Sequence, residues 1–221
     1  MRFLGLDGFR NGWVAVWIDG NQRGIAFPAN IQDALKIPYD LAMIDIPIGL
    51  PDRGNRVCDV EARNLLGAAR SRVFLGARRS LSRYSTQAEA NAWAKSVYDS
   101  GVSCQLFCIS KKIDEVDAVM TPELQKSVLE THPELVFCRL NGSKPLTTGK
   151  KKQGGVQQRR ALLMSEGFVE LDNWLNARAP KVARDDVLDA CACAIAARDR
   201  KRRIPECPET DSNGLRMEMW F

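Results

Sequence analysis

MRFLGLDGFRNGWVAVWID, residues 1–19, decides the fold. Phe3-Leu4-Gly5-Leu6 reads as a strand buried on both faces, and it runs straight into Asp7 and Gly8. Asn11-Gly12 turns the chain, and residues 13–18 form a β-rich run that pairs antiparallel with the first strand. The opening is therefore a hairpin carrying Asp7 at the tip of one strand. A carboxylate where a buried strand ends costs free energy unless something pairs with it, so Asp7 either caps the turn or belongs to a site.

Working outward, residues 23–27 make a third strand, and Asn30 N-caps a short helix that runs to residue 37. The apolar run 41–46 is a central strand with Asp45 near its end. Residues 52–126 are helical and interrupt the strand series. They hold a helix over 58–67, a second from the Thr86/Glu89 capping box to Gly101 with Trp93 and Val97 inward, and a third marked by Leu106, Ile109, Ile113 and Val116. The sheet resumes at 127–132 and Pro133 ends it. SKPLTTGKKKQGG, residues 143–155, is a loop expected to be mobile. Helices over 156–166, 169–176 and 184–201 follow, and the apolar end 217–221 packs as a last strand. The expectation is one domain, residues 1–221, of α/β class: a mixed five-stranded sheet flanked by helices, with a helical insertion at about 52–126.

The composition is that of an ordinary soluble domain, 27% charged and 45% hydrophobic over 221 residues. No apolar run reaches the roughly 18 residues of a membrane span, and Met1-Arg2 leads into a strand rather than a signal peptide, so a cytoplasmic location is expected. The seven cysteines contain no CxxC pair, which argues against a disulfide framework or a zinc ribbon. With His132 as the one histidine, multi-histidine metal sites are excluded, and no GxSxG elbow supports a serine triad.

Charge is placed unevenly. Residues 51–83 hold eight arginines and no lysine, among them Arg56, Arg63 and Arg70, and residues 142–160 add Lys144, Lys150, Lys151, Lys152, Arg159 and Arg160 without an acid. Arginine forks suit phosphate oxygens, so Arg10, Arg56, Arg63, Arg70, Lys151 and Lys152 are candidate contacts for a nucleic acid, DNA or RNA. Solvated helix faces and a loose basic loop are the competing account.

On the closing helix, Asp186 and Asp189 lie three apart on one face, while small residues at 190, 192, 193, 194, 196 and 197 let the helix lie close to a sheet. Dipole placement accounts for Asp185 in the first turn but poorly for Asp189, a turn further in. Asp7, Asp45 and Asp189, from two strand ends and one helix, are hard oxygen ligands of the kind that bind Mg2+ or Mn2+. Asp186 assists, and Glu130 and His132 are further candidates as ligand or proton carrier, although His132 before Pro133 also suits a purely structural hydrogen bond. Such ions activate a water and stabilise the leaving oxygen of a phosphodiester.

Taken together, GLDGFRNGW (5–13), AMIDIPIGLP (42–51), RVCDVEARNLLG (56–67), ISKKIDEVD (109–117), ETHPELVF (130–137) and DDVLDACACAIAA (185–197) resemble an uncharacterised domain-of-unknown-function family of predicted nucleases with the RNase H-like fold. The last of these is also similar to the closing helix of RuvC-type Holliday-junction resolvases. The resemblance implies that Asp7 is the first-strand aspartate, Asp45 the fourth-strand acid, and Asp186 and Asp189 the closing-helix pair of a divalent-metal-dependent nuclease. The fourth-strand acid is commonly glutamate in resolvases, and the shorter Asp45 leaves one-ion chemistry open. Two rival expectations stand beside it: a non-catalytic nucleic-acid-binding or scaffolding protein of the same fold, and a nucleotide-binding phosphotransferase of the actin-like kind, to which LDGFRNGW has a faint likeness although such enzymes look built from two copies of the fold and the sequence offers one set of strands.

Overall fold

The computed structural model describes residues 1–79, 81–98 and 101–221. The opening hairpin is β1 (Arg2–Phe9) and β2 (Gly12–Asp19), antiparallel in a register that sets Asp7 against Val14. β3 (Gln22–Ala26) extends it on one side; β4 (Leu41–Ile44) and β5 (Val128–Glu130) run parallel to β1 on the other. The sheet is five-stranded and mixed, in the order β3-β2-β1-β4-β5, consistent with an RNase H-like fold.

Between β2 and β4 the chain makes α1 (Ile31–Ala34), capped by Asn30 as expected but stopping short of residue 37. Between β4 and β5 come α2 (Val57–Leu66), α3 (Gln87–Tyr98) and α4 (Cys104–Asp117), and no strand among the described residues. The Thr86/Glu89 capping box forms, each side chain bonding the other residue's backbone N–H. The expected run of α3 through residues 99 and 100 lies outside the described residues. Val97 is a correction: it is 55% exposed, because α3 buries Ala90 and Ala94 instead.

After β5 come α5 (Pro133–Leu140), α6 (Gln153–Ser165), α7 (Leu171–Asn176) and α8 (Arg184–Asp199). The C-terminal stretch pairs β7 (Met219–Trp220) with β6 (Arg203–Ile204), and the Thr131 hydroxyl donates to the Trp220 carbonyl, tying the tail to the end of β5. The loop before α6 is shorter than expected, and it is pinned: Arg72 donates to the Leu146 carbonyl and Arg159 to that of Thr148. No helix of the described residues is long and apolar enough to cross a membrane.

The core has two halves, one per sheet face. α8 covers the face of Val14, Val16, Met43 and Leu129, while α4 and its neighbours cover Leu4, Leu6, Ala15 and Ile44. α8 lies directly over β1, and Gly5 makes that possible. A Cβ on Gly5 would stand 2.1 Å from the Ala194 nitrogen and 2.2 Å from the Ala190 carbonyl oxygen. Ala190, Cys191, Ala192, Cys193 and Ala194, all fully buried, supply the thin helix surface that meets it.

Because the obstruction would be backbone rather than a movable side chain, Gly5→Ala is expected to destabilise the protein by at least ~3 kcal/mol. Urea unfolding followed by circular dichroism measures it; a loss below ~1 kcal/mol would contradict this packing.

Candidate functional site

Strand parity builds the site. Side chains alternate across a sheet, so Gly5 and Asp7 project to the same face of β1, the face α8 covers. Parallel pairing sets Gly5 beside Met43 and Leu6 beside Ile44, and the Asp45 N–H donates to the Leu6 carbonyl, continuing that register. Asp45 thus falls next to Asp7 on the same face. α8 brings in the third carboxylate from its N-terminal half, one residue before the Ala190 that rests on Gly5.

These groups line one pocket of about 550 Å³, together with Asp186, Glu134, Lys150, Lys151 and Lys152. Their charges act on one another. Burial pushes the Asp7 carboxyl well above its ordinary range, and Asp45 and Asp189 push it further. Asp45 is raised to about 6 by burial, against the influence of His132. Asp186 is also raised to about 6 by burial, although the Ala183 N–H donates to its Oδ2 at 2.7 Å and caps the helix. Asp189 is 2% exposed and raised by burial, with Lys150 opposing.

Among the described residues, the cation paired with Asp189 is Lys150. Its ammonium sits 2.6 Å from Asp189 Oδ2 and 3.6 Å from Asp185, and Asp189 first, with Asp7 behind it, holds it charged despite burial. The other oxygen, Asp189 Oδ1, is buried and has no hydrogen-bond partner among the described residues. An orphaned carboxylate oxygen beside further buried aspartates is what a hard cation satisfies, and the all-oxygen donor set suits Mg2+ or Mn2+ rather than zinc. Among the described residues, no group of three or more His, Cys, Asp or Glu side chains stands in ion-binding geometry as the pocket is arranged here, with the lysine on Asp189.

The other expected residues divide sharply. Glu130, Arg56 and His132 also line the pocket, but Glu130 pairs with Ile44 in register, so it projects to the Leu6 side of the sheet, opposite to Asp7 and Asp45. There Arg56 takes both of its oxygens at 2.6 Å and the Ile48 N–H donates to one. Arg56 itself is corrected as a substrate contact: it is 2% exposed, and Asp59, Glu130 and the Ile48 carbonyl occupy all five of its N–H groups. Nothing is left to offer a phosphate oxygen. His132 is also committed, since Nδ1 accepts from the Glu134 N–H at the start of α5 and Nε2 lies 3.2 Å from the Arg72 carbonyl. Arg10, Arg63 and Arg70 do not line the pocket; Arg63 instead donates to the Val73 carbonyl. Lys151 and Lys152 do line it, both exposed.

Sequence reasoning passed over Lys150 and Glu134 as site residues. Glu134 accepts from Arg72 and from the fully buried Arg159, whose guanidiniums outweigh burial and keep its carboxyl below the usual range. Its signal was available in ETHPE, as an acid in the first turn of a helix begun by proline. No comparable signal marks Lys150, one of three successive lysines in an aperiodic loop.

The raised carboxyls make a pH prediction. With folded-state values near 6 against about 4 unfolded, Asp45 and Asp186 bind more protons in the native state, so their contribution to stability is lost as pH rises from about 4 to 6. Asp45→Asn is expected to be more stable than the natural chain at pH 7.5 by ~1–2 kcal/mol, the difference vanishing by pH 4. Urea melts of both chains, free of divalent ions, measure it; a difference independent of pH would contradict the coupling.

No curated protein and no solved structure matches the chain. A family model described as protein of unknown function (DUF429) matches residues 5–211. That span runs from within β1 past β6, stops short of β7, and takes in every pocket aspartate; the chain belongs to the DUF429 family.

Proposed function

We propose that the pocket is the active site of a divalent-metal-dependent nuclease, hydrolysing phosphodiester bonds with a carboxylate-bound Mg2+ or Mn2+ ion. The observation that carries this is the orphaned, buried Asp189 Oδ1 among aspartates whose mutual repulsion one ammonium only partly offsets. Asp7, Asp45 and Asp189 would hold the ion, whose chemistry is to acidify a bound water and neutralise charge on the phosphate. Asp186 contributes negative charge from its capping position. Lys150 bonds Oδ2, leaving Oδ1 open to an ion whose like charge would drive the ammonium off Asp189, and Lys151 and Lys152 at the mouth attract the phosphate backbone. Glu130 and Arg56 act from beneath, fixing the turn after β4 through Ile48.

The ion pair between Lys150 and Asp189 also favours a second reading, in which the lysine permanently replaces the ion and the protein binds or scaffolds nucleic acid without cutting it.

Hydrolysis of fluorescent single-stranded DNA, RNA and junction substrates in Mn2+ separates the two. Cleavage is expected to fall at least 100-fold in Asp7→Asn; equal rates in both proteins would contradict the nuclease, and metal-independent, steeply salt-dependent binding without cleavage would establish the rival. Lys150→Ala is expected to melt lower than the natural chain in chelator and to recover in millimolar Mn2+. A deficit that Mn2+ leaves untouched would make Lys150 purely structural.

A further inference from the structure

The acidic groups occupy only part of the pocket. The helical insertion supplies a second, apolar part: Phe74, from the segment after α2, with Leu106 and Ile109 of α4. Phe74 and Ile109 are only half-buried, so a ring face and an aliphatic surface remain available to a ligand. Lys151 and Lys152 stand exposed at the same pocket and have no acidic partner among the described residues. A single cavity thus combines an apolar, partly aromatic surface, unneutralised lysines and a cluster of aspartates.

Volume limits what fits. About 550 Å³ lies in the ~300–1,000 Å³ range of small-molecule pockets, whereas a continuous duplex is held along its backbone and grooves. Arg63 and Arg70, which would have lined a track for a longer backbone, lie outside the pocket. An amphipathic phosphate ester with one flat ring system matches the three chemistries together, the ring on Phe74 and the phosphate toward the lysines.

We infer that the pocket receives one nucleotide unit, its base against Phe74 and Ile109 and its phosphate among Lys151, Lys152 and the aspartates. This rests on the nuclease reading and narrows it: the unit held is the terminal nucleotide of a strand, or a free nucleotide as the product of its cleavage, and not the interior of a duplex.

Calorimetric titration of the full chain in magnesium buffer tests this by binding alone, with adenosine 5′-monophosphate, a single-stranded dodecamer with free ends, a dumbbell duplex sealed at both ends, and inorganic phosphate as probes. Phe74→Ala is expected to weaken adenosine monophosphate roughly tenfold and leave inorganic phosphate unchanged, with Phe74→Leu as a second variant that keeps the apolar bulk and loses the ring. Phe74-dependent binding of the dodecamer as well assigns strand ends; of the mononucleotide alone, free nucleotides. Either supports the inference. Equal mononucleotide binding in Phe74→Ala, no mononucleotide binding at millimolar concentration, or Phe74-dependent binding of the sealed dumbbell would overturn it. Phe74-dependent binding without metal-dependent hydrolysis would contradict the nuclease reading and leave this one standing, while hydrolysis indifferent to Phe74 would do the reverse.

Discussion

The contact of α8 with β1 across Gly5 is the constraint on which the rest depends. Helix backbone rests on strand backbone there, with no side chain between them. That proximity brings a helical aspartate to the sheet-borne pair, Asp7 and Asp45. A larger residue at 5, or bulkier ones along 190–194, would lift the helix and separate the carboxylates. The stripe of Ala and Cys is thus as much a part of the site as the acids are.

Concentrating negative charge in a partly closed pocket is unfavourable, and the molecule offsets it in distinct ways on the two sheet faces. On the Leu6 side, Glu130 and Asp59 are fully satisfied by Arg56, a closed ion-pair network with every donor used. On the α8 side, both Glu134 oxygens are taken, by Arg72 and Arg159, although Arg159 Nε has no partner among the described residues. The aspartates are not so matched. Among the described residues, one lysine borne on a loop pairs with Asp189, and Asp189 Oδ1 remains without a partner. Among the buried side-chain atoms of the described residues left without a partner, Asp189 Oδ1 is the oxygen, and that is where a cation has something to gain.

Much of this was legible in the chain. Alternating and buried strand patterns, Asn11-Gly12 and the Thr86/Glu89 box gave the sheet and its helices, and three of the aspartates were placed by being at strand ends or on a small-residue helix. Glu130 does line the pocket, but its commitment to Arg56 was hidden because the parity of a three-residue strand is invisible without its register, and one residue of slip exchanges the two faces. Arg56 read as a phosphate contact because sequence shows charge but not partners; its carboxylates lie three residues away and far along the chain. Lys150 was hidden for a simpler reason: loops lack periodicity, so nothing local tells which of three adjacent lysines turns inward.

The most direct test is a crystal soaked in Mn2+ and measured at the manganese absorption edge. The account predicts an anomalous peak bounded by Asp7, Asp45 and Asp189, with the Lys150 ammonium withdrawn from Asp189. A map without manganese there, and Lys150 still bonded to Asp189 at saturating metal, would contradict it.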